Sequence, residues 1–474
     1  MSLTHKAIHA FKWSVLGEIA SRATGPLVFL ALARLLVPED FGVVAAAAVV
    51  ISFSQVFADA GLAKALIQRQ NRVEESANVV FWLNLGIGLV IASLILVGAP
   101  FIAGFFHDDR IAAVVQVLSL QILLAAFSSV HTALLQKDLN FKQLFWVRML
   151  TAAIPGLASI PLAIYGMGYW ALVAGTLVGQ VVQNAMFWML SPWRPKWGLD
   201  RGLAGELVTF GKWVMLSGLL GWLYGWMDAV MVGHYLGSHD MGLYRTGNTF
   251  VTMIFGLIFS PLLPVLYSLF SGTHHNLLKL RETLGTVARA IALIALPIGF
   301  CLYATGDMIA NVIFGLRWQG IDEVIGLMAL MHAFSWIVGA NGEVYRAIGK
   351  PYVETWANAI MLLIYFAGYL SSVHFGLQLF LKARLCLALL AMFAHIGIAR
   401  YVVGVPVSNW FYAGIFITSI ASAVLVNQID FGFGLALLDL VLMVCVFFTV
   451  SLLGIALFEQ TFVLKLIRIA RSRG

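Results

Sequence analysis

Four ionisable residues lie inside long apolar stretches of the chain. Glu18 and Arg22 are four residues apart in the first stretch, Asp228 lies within a later one, and Arg245 begins the next. An acid and a base at this spacing share one helix face and can form an ion pair. A guanidinium can also bind an anion through two parallel hydrogen bonds, and a carboxylate can take up a proton or a cation. The sequence therefore predicts anion binding, cation uptake or internal ion pairs at these positions.

Uncharged polar residues and helix breakers accompany these charges. Asn248 follows Arg245 by about one helical turn, and Asn341 lies in a later apolar stretch. Gly25 and Pro26 follow Arg22 closely, and a proline inside a helix removes a backbone hydrogen bond and bends the helix. The sequence predicts either a hinge or an inert bend at these two residues.

The composition determines which elements must position these residues. Of the 474 residues, 61% are hydrophobic and only 11% are charged, whereas a soluble domain has about 25% charged residues. A bilayer core of about 30 Å needs roughly 20 apolar residues per helix, and about fourteen stretches of the chain satisfy this. We predict an all-α polytopic membrane protein. The three cysteines lie in apolar stretches, so neither a disulfide framework nor a zinc site is expected.

The positions of the basic residues predict an orientation in the membrane. Most of the 29 lysines and arginines fall in one set of alternate loops that includes both ends of the chain, and Arg34, Arg110, Arg245 and Arg317 fall in the opposite set. Loops rich in lysine and arginine face the cytoplasm. We expect both termini in the cytoplasm and an even number of spans. The net charge of +7 is then explained by topology, with no separate case for nucleic-acid binding.

An internal repeat is visible when the chain is compared with itself at one constant spacing. The matches fall just before a span or in the first loop after it: Lys12-Trp13 with Lys212-Trp213, Leu16 with Leu216, and Leu36, Asp40 and Gly42 with Leu236, Asp240 and Gly242. Parallel repeats of this kind place a substrate site between them. We predict two six-helix lobes, and chance similarity is the alternative. The predicted divisions are an N-terminal lobe at 1–190, a cytoplasmic linker at 191–205, a C-terminal lobe at 206–402, and two extra spans with a basic tail at 403–474.

Several motifs of the chain resemble one known family. They are ARLLVPEDFG (33–42), FADAGLAKALIQR (57–69), LLQKDLNFK (134–142), YGMGYWALVAG (165–175), PWRPKW (192–197), MVGHYLGSHDMGLY (231–244), PLLPVL (261–266) and YRAIGKP (345–351). Together they resemble the Wzx-type polysaccharide transporters, the lipopolysaccharide-biosynthesis branch of the multidrug/oligosaccharidyl-lipid/polysaccharide (MOP) flippase superfamily. The resemblance covers roughly residues 10–400.

The resemblance implies a V-shaped pair of lobes in the bacterial inner membrane. It also implies a function, the transfer of undecaprenyl-pyrophosphate-linked oligosaccharide to the periplasmic leaflet by alternating access, for exopolysaccharide or lipopolysaccharide synthesis. Membrane lipids are expected contacts, and the polysaccharide polymerase and the export machinery would be further partners. No enzymatic site, metal or cofactor is expected. Since the sequence contains no Walker-type loop, coupling to H⁺ or Na⁺ is one of the energy sources that it leaves open.

With such a cargo, each polar candidate has a functional and a structural interpretation. Arg22 and Arg245 would bind the pyrophosphate, with Glu18, Asn248, Asn341 and Arg148 beside it; Asp228 would couple transport to an ion. The structural alternatives are a static ion pair for Glu18 and Arg22, a headgroup anchor for Arg245, an interhelical hydrogen bond for Asp228 and a cytoplasmic anchor for Arg148. We also expect Asp59 and His332 to have packing roles. Two other functions compete: a drug exporter of the same superfamily, which would favour acids over arginines, and a membrane polysaccharide polymerase, which would need larger outward loops.

Overall fold

Helices are the only regular secondary structure in the described residues. The computed structural model describes residues 24–198, 200–273, 275–406, 412–429 and 435–460. Of the helices in these ranges, eleven are long and apolar enough to cross a membrane. The predicted class, an all-α polytopic membrane protein, is confirmed. The exact number of about fourteen spans stays a prediction, because the apolar stretch before residue 24 lies outside the described residues.

The described residues up to Arg245 form the first of two compact units. Its helices are α1 (Thr24–Leu35), α2 (Pro38–Asp59), α3 (Leu62–Gln68), α4 (Val73–Phe106), α5 (Arg110–Leu118), α6 (Leu120–Lys137), α7 (Phe141–Ile164), α8 (Tyr169–Leu190) and most of α9 (Arg201–Phe259). Helix α9 belongs to this unit because its first part packs on α2, where Trp222 Nε1 donates to Ser52 Oγ over 2.9 Å. The lobe boundaries predicted from the repeat are not tested by this division and stay a prediction.

The second unit comprises the described residues from Thr246 onward. After the end of α9 it contains α10 (Leu262–Ser271), α11 (Leu277–Ala304), α12 (Gly306–Ile309), α13 (Ile321–Ile337), α14 (Asn341–Ala347), α15 (Pro351–Val373), α16 (Leu377–Val402), α17 (Ala413–Gln428) and α18 (Ala436–Phe458). A π-helical turn (Ala310–Phe314) and a 3-10 turn (Leu316–Trp318) link α12 to α13. Helix α11 packs between α13 and α17, so it is central to the core of this unit.

Small residues allow the helices of the first unit to approach closely. A Cβ atom on Gly175 of α8 would overlap Ser159 of α7, and one on Gly179 would lie 2.7 Å from the ring of Pro155. Between helices in lipid, association depends on van der Waals contact and hydrogen bonds, which small residues permit. The glycines of α8 therefore fix its distance from α7.

Two glycines at equivalent repeat positions make reciprocal backbone contacts. A Cβ atom on Gly42 would overlap the carbonyl oxygen of Ser238, and one on Gly242 would overlap the carbonyl oxygen of Pro38. Residues 38 and 238 are themselves equivalent under the spacing of the repeat. Contacts in which i meets j and the partner of j meets the partner of i are the signature of a two-fold relation. The first residues of α2 and the residues that follow Gly237 in α9 are thus related by a local pseudo-two-fold axis.

An ion pair lies on this local axis. Glu39 Oε1 is 2.7 Å from His239 Nδ1, and these two residues are also equivalent under the repeat. Beside them, Asp108 Oδ2 accepts from Ser238 Oγ over 2.6 Å and from Arg110 Nη2 over 2.7 Å. Although partial burial opposes ionisation of Asp108, these hydrogen bonds hold its pKa below the ordinary 3.8. Polar contacts therefore surround the backbone contact on the side that the charge distribution predicts to be periplasmic.

Candidate functional site

Gly237 breaks α9 and sets the geometry of the first candidate site. Its backbone adopts φ 84° and ψ −176° inside an otherwise helical segment. This region of conformational space is essentially restricted to glycine, because a Cβ atom would clash with the backbone. The break divides α9 into two arms, so Trp226 and Asp228 on the first arm face residues that begin the second arm. We call Trp226, Asp228, Tyr244 and Arg245 the α9 cluster.

Arg245 lies face-on over an aromatic ring in the α9 cluster. Its Cζ atom is 4.1 Å from the centroid of the Trp226 ring, a distance typical of a cation–π interaction. Within the described part of the chain, no hydrogen-bond acceptor is bonded to its guanidinium. Stacking occupies the face of a guanidinium and leaves its N–H edges available. The arrangement therefore holds a positive group in an apolar helix, with no described acceptor bonded to its N–H groups.

Asp228 is satisfied by neighbours on its own helix. Its side chain is 4% exposed, its Oδ2 accepts from Tyr244 Oη over 2.6 Å, and its Oδ1 accepts from the Ala229 backbone N–H over 2.7 Å. Buried polar groups in proteins are normally hydrogen-bonded in this way. Asp228 also attracts Arg245 electrostatically. A hydrogen-bonding role explains its burial, and the predicted ion coupling stays a prediction.

Two of the predicted polar residues form separate pairs in the second unit. Asn248 Oδ1 is 3.2 Å from His332 Nε2, and the His332 ring stacks on Phe255 with 5.7 Å between centroids. Asn341 donates from Nδ2 to the His395 carbonyl over 3.2 Å, while its Oδ1 is buried without a partner among the described residues. These contacts place Asn248 and Asn341 in different pairs, and the packing role expected for His332 agrees with them.

The remaining predicted residues lie elsewhere or outside the described ranges. Arg148 is an exposed residue of α7, and no described contact joins it to the α9 cluster. Gly25 and Pro26 are in the first turn of the described part of α1. Glu18 and Arg22 lie outside the described residues, so their predicted pair stays a prediction, as does the hinge.

Sequence reasoning missed a polar cavity in the first unit. It lies between α2, α4 and α6, has a volume of about 280 Å³, and is lined by Gln55, Ala58, Asp59, Asn84, Ile122, Ala125, Ala126 and Ser129. We call it the amide pocket. A structural role is the expectation for Asp59, and Asn84 and Gln55 carry no charge that would mark them within an apolar stretch. Gln55 and Asp59 are four residues apart and therefore lie on one face of α2, and this spacing is the signal that could have revealed a polar helix face.

The geometry can be compared with known proteins. A family described as "Polysaccharide biosynthesis protein" matches residues 31–323, which is more than half of the chain. The chain belongs to this family. The match includes the amide pocket and the whole α9 cluster, so both candidate sites lie in the part of the chain that the family shares.

Two curated relatives of this polysaccharide biosynthesis protein bear out the resemblance seen in its motifs. It is 29% identical over 320 residues to the succinoglycan biosynthesis transport protein ExoT of Rhizobium meliloti (strain 1021), a match covering 67% of this chain and 64% of ExoT. The chain thus spans slightly less than two thirds of that relative. It is 24% identical over 360 residues to the lipopolysaccharide biosynthesis protein WzxC of Escherichia coli (strain K12), covering 74% of this chain and 70% of WzxC. The family predicted from the sequence motifs is confirmed.

Two solved structures share the fold. The inward closed conformation of the lipid II flippase MurJ superposes with a TM-score of 0.78 over 95% of this chain and 100% of that one, at 14% identity. An inward-facing multidrug resistance MATE family transporter of the MOP superfamily gives a TM-score of 0.65 over 82% and 98%, at 15% identity. At such low identity these likenesses establish the fold alone. ExoT is named as a transport protein, and the two structural neighbours are named as a flippase and a transporter, which agrees with the expected transporter.

Proposed function

We propose that this protein is a flippase that moves undecaprenyl-pyrophosphate-linked oligosaccharide from the cytoplasmic to the periplasmic leaflet by alternating access. The observation that supports it most directly is the guanidinium of Arg245, stacked on Trp226 with its N–H edges not bonded to any described residue. Arginine binds phosphate oxygens bidentately, which suits a diphosphate. A positive group at this position disfavours a cationic drug, so the α9 cluster supports the flippase over the drug exporter.

A groove in the second unit suits the lipid part of this cargo. It has a volume of about 410 Å³ and its wall is almost entirely apolar: Phe250, Ile254, Ile258, Ile298, Cys301, Leu302, Thr305, Ile309, Ile313, Leu440, Val444 and Phe448. Hydrocarbon gains contact in such a groove without leaving a polar atom unpaired. Under the proposal, this lipid groove accommodates part of the polyprenyl chain of the cargo.

The energetics and orientation of the proposed cycle follow from the charges. The cargo is an anion, and each negative charge moved out of a negative-inside cell gains about 2.3 kcal/mol per 100 mV. We propose the inner membrane as its location, with both termini in the cytoplasm, and we retain Asp228 as the residue through which H⁺ or Na⁺ would couple. Cargo binding then shifts the population of lobe arrangements by its differential affinity for them.

Removal of the Arg245 guanidinium tests the proposal in cells. In a strain whose own gene has been deleted, Arg245→Ala should lower the export of lipid-linked sugar roughly 10- to 100-fold, because charge-assisted hydrogen bonds contribute about 1.5–3 kcal/mol. Arg317→Ala is the matched control, since Arg317 is an exposed arginine in the 3-10 turn of the second unit. Membrane insertion should be equal in both variants.

The leaflet distribution of the cargo distinguishes the competing functions. Deletion should leave lipid-linked sugar in the cytoplasmic leaflet. If the sugar instead reaches the periplasmic leaflet and only chain elongation stops, the protein is a polymerase. Full export by Arg245→Ala would remove the assignment of the pyrophosphate site to the α9 cluster.

A further inference from the structure

The amide pocket contains an oxygen atom that lacks a donor. Asn84 is 1% exposed, and its Nδ2 donates to Ser129 Oγ over 3.0 Å. The Ser129 hydroxyl in turn donates to the Ala126 carbonyl over 3.0 Å. The Oδ1 atom of Asn84 is buried with no hydrogen-bond partner among the described residues. An unpaired buried acceptor costs about 1–3 kcal/mol, so a ligand that donates a hydrogen bond here would recover that loss.

Two other polar side chains that line the amide pocket are a carboxylate, which accepts hydrogen bonds, and an amide, which both accepts and donates them. Asp59 presents a carboxylate at the exposed side of the pocket, and Gln55 precedes it by one helical turn on α2. Helix α2 ends at Asp59, and the C-terminal end of a helix disfavours anions. Among the residues that the structure describes, no lysine or arginine lines the pocket. The chemistry of the wall therefore favours a ligand with several hydrogen-bond donors and excludes the pyrophosphate.

The size of the amide pocket and the apolar residues in its lining further limit which ligands it can bind. Its volume of about 280 Å³ is several times the roughly 30 Å³ that one water molecule occupies, so it is far larger than a bare cation needs. Ala58, Ala125 and Ala126 contribute small apolar groups to its lining. A sugar ring combines these properties, because its edge has hydroxyl donors and its face has C–H groups.

We propose that the amide pocket binds one sugar ring of the cargo, with ring hydroxyls donating to Asn84 Oδ1 and to the Asp59 carboxylate. This inference rests on the proposed flippase function and adds a specificity site to it. The sugar site and the α9 cluster would recognise chemically different parts of one molecule. Asn84 is then a substrate-binding residue that no charge in the sequence reveals.

The experiment compares two lipids in proteoliposomes that contain the full-length protein. One is the sugar-bearing lipid isolated from the producing strain, and the other is polyprenyl pyrophosphate without sugar. Asn84→Leu, which preserves size and removes the amide, should raise the half-saturating concentration of the sugar-bearing lipid about tenfold and leave the bare lipid unaffected. Asn184→Leu is the matched control, because Asn184 is also a buried amide with an unpartnered Oδ1, on α8.

Each outcome of this experiment is decisive. If the wild type moves neither lipid, the proposed function itself fails. If the wild type moves both and Asn84→Leu handles both normally, or slows both equally, the sugar site is overturned. A cation site is the competing occupant: if Na⁺ in place of choline raises the unfolding temperature of the wild type, and Asp59→Asn abolishes that rise, the pocket binds a cation and the sugar proposal fails.

Discussion

Gly42 and Gly242 occupy equivalent positions of the repeat and make the same contact, each against a carbonyl oxygen of the opposite copy. The side chains around them have diverged. Arg245 and Asp228 of the second copy stand where the first copy has Ala45 and Val28. The two copies therefore share backbone packing, while only the second has the charged α9 cluster.

About three to four helical turns further along the chain, it is the first copy that has the polar residues. Gln55 and Asp59 line the amide pocket of the first copy, and the equivalent residues of the second copy are Phe255 and Phe259. Those two rings stack on each other with 5.9 Å between centroids and are almost completely buried. Where one copy has a polar cavity, the other is filled with aromatic rings. Two copies that share one backbone contact can thus differ in the side chains that surround it.

The reciprocal glycine contacts should be the most sensitive feature of both copies. Gly42→Ala and Gly242→Ala each place a Cβ atom on a backbone oxygen that cannot rotate away, and we expect both to lose most of the folded protein. The measurement is the yield of monodisperse protein after detergent extraction. Gly221→Ala on α9 is the control, since its Cβ atom would meet open space and alanine favours a helix by about 1 kcal/mol. If the protein tolerated one of these substitutions but not the other, the two glycine contacts would not be equivalent.

An exchange of residues between the copies should have unequal costs. Phe255→Gln buries an amide in an aromatic stack and should destabilise the protein by about 3–5 kcal/mol. Gln55→Phe replaces a partly exposed residue at a cavity and should cost less than about 1 kcal/mol, while it lowers transport of the sugar-bearing lipid. Thermal unfolding of both variants measures the difference. Equal losses of stability would mean that the amide pocket is part of the core rather than a binding site.

Replacement of the guanidinium by an ammonium should sharpen the interpretation of the α9 cluster. Arg245→Lys keeps the charge but loses the fork of donors and the stacking on Trp226, so we expect transport to fall about tenfold. Initial rates at limiting cargo measure this loss. Arg110→Lys, at the first residue of α5, provides the comparison for a conservative change outside the cluster. Wild-type rates for Arg245→Lys would indicate a headgroup anchor instead of bidentate binding.

The smallest expected effect concerns the contact beside the local axis. Since hydrogen bonds lower the pKa of Asp108 below 3.8, its ionised form stabilises the fold above that pH, and the contribution is lost as the pH falls further. Asp108→Asn should remove this acid-side dependence at a cost of about 0.5–1 kcal/mol at neutral pH. Unfolding temperatures across the acidic range test it. Asp109→Asn, at the exposed neighbour, should keep the dependence of the wild type.

The sequence predicts well those parts of the fold that depend on hydropathy averaged over many residues. Apolar stretches of about 20 residues define membrane helices without reference to any contact. The recurrence of Gly42 as Gly242 also marks a real structural relation, because only a residue without a side chain fits both positions.

Contacts between distant residues were beyond sequence reasoning. Nothing in the stretch around Asp228 indicates that Tyr244, 16 residues later, donates to it, since this depends on the break at Gly237. The amide pocket was missed because Asn84 is uncharged and meets Ser129 only through the packing of α4 on α6. Charged residues in apolar stretches attract attention because they cost most in a membrane helix, whereas an uncharged amide is easily overlooked although its burial also has a cost.

The size of the lipid groove limits how much of a polyprenyl carrier the protein can contact. A space of about 410 Å³ admits only a short length of a branched hydrocarbon. Under the proposed function, most isoprene units of an undecaprenyl chain would therefore remain among the bilayer acyl chains throughout the transport cycle. The protein would then contact only the isoprene units next to the pyrophosphate and not the far end of the chain. Polyprenyl carriers of quite different lengths should therefore serve equally well.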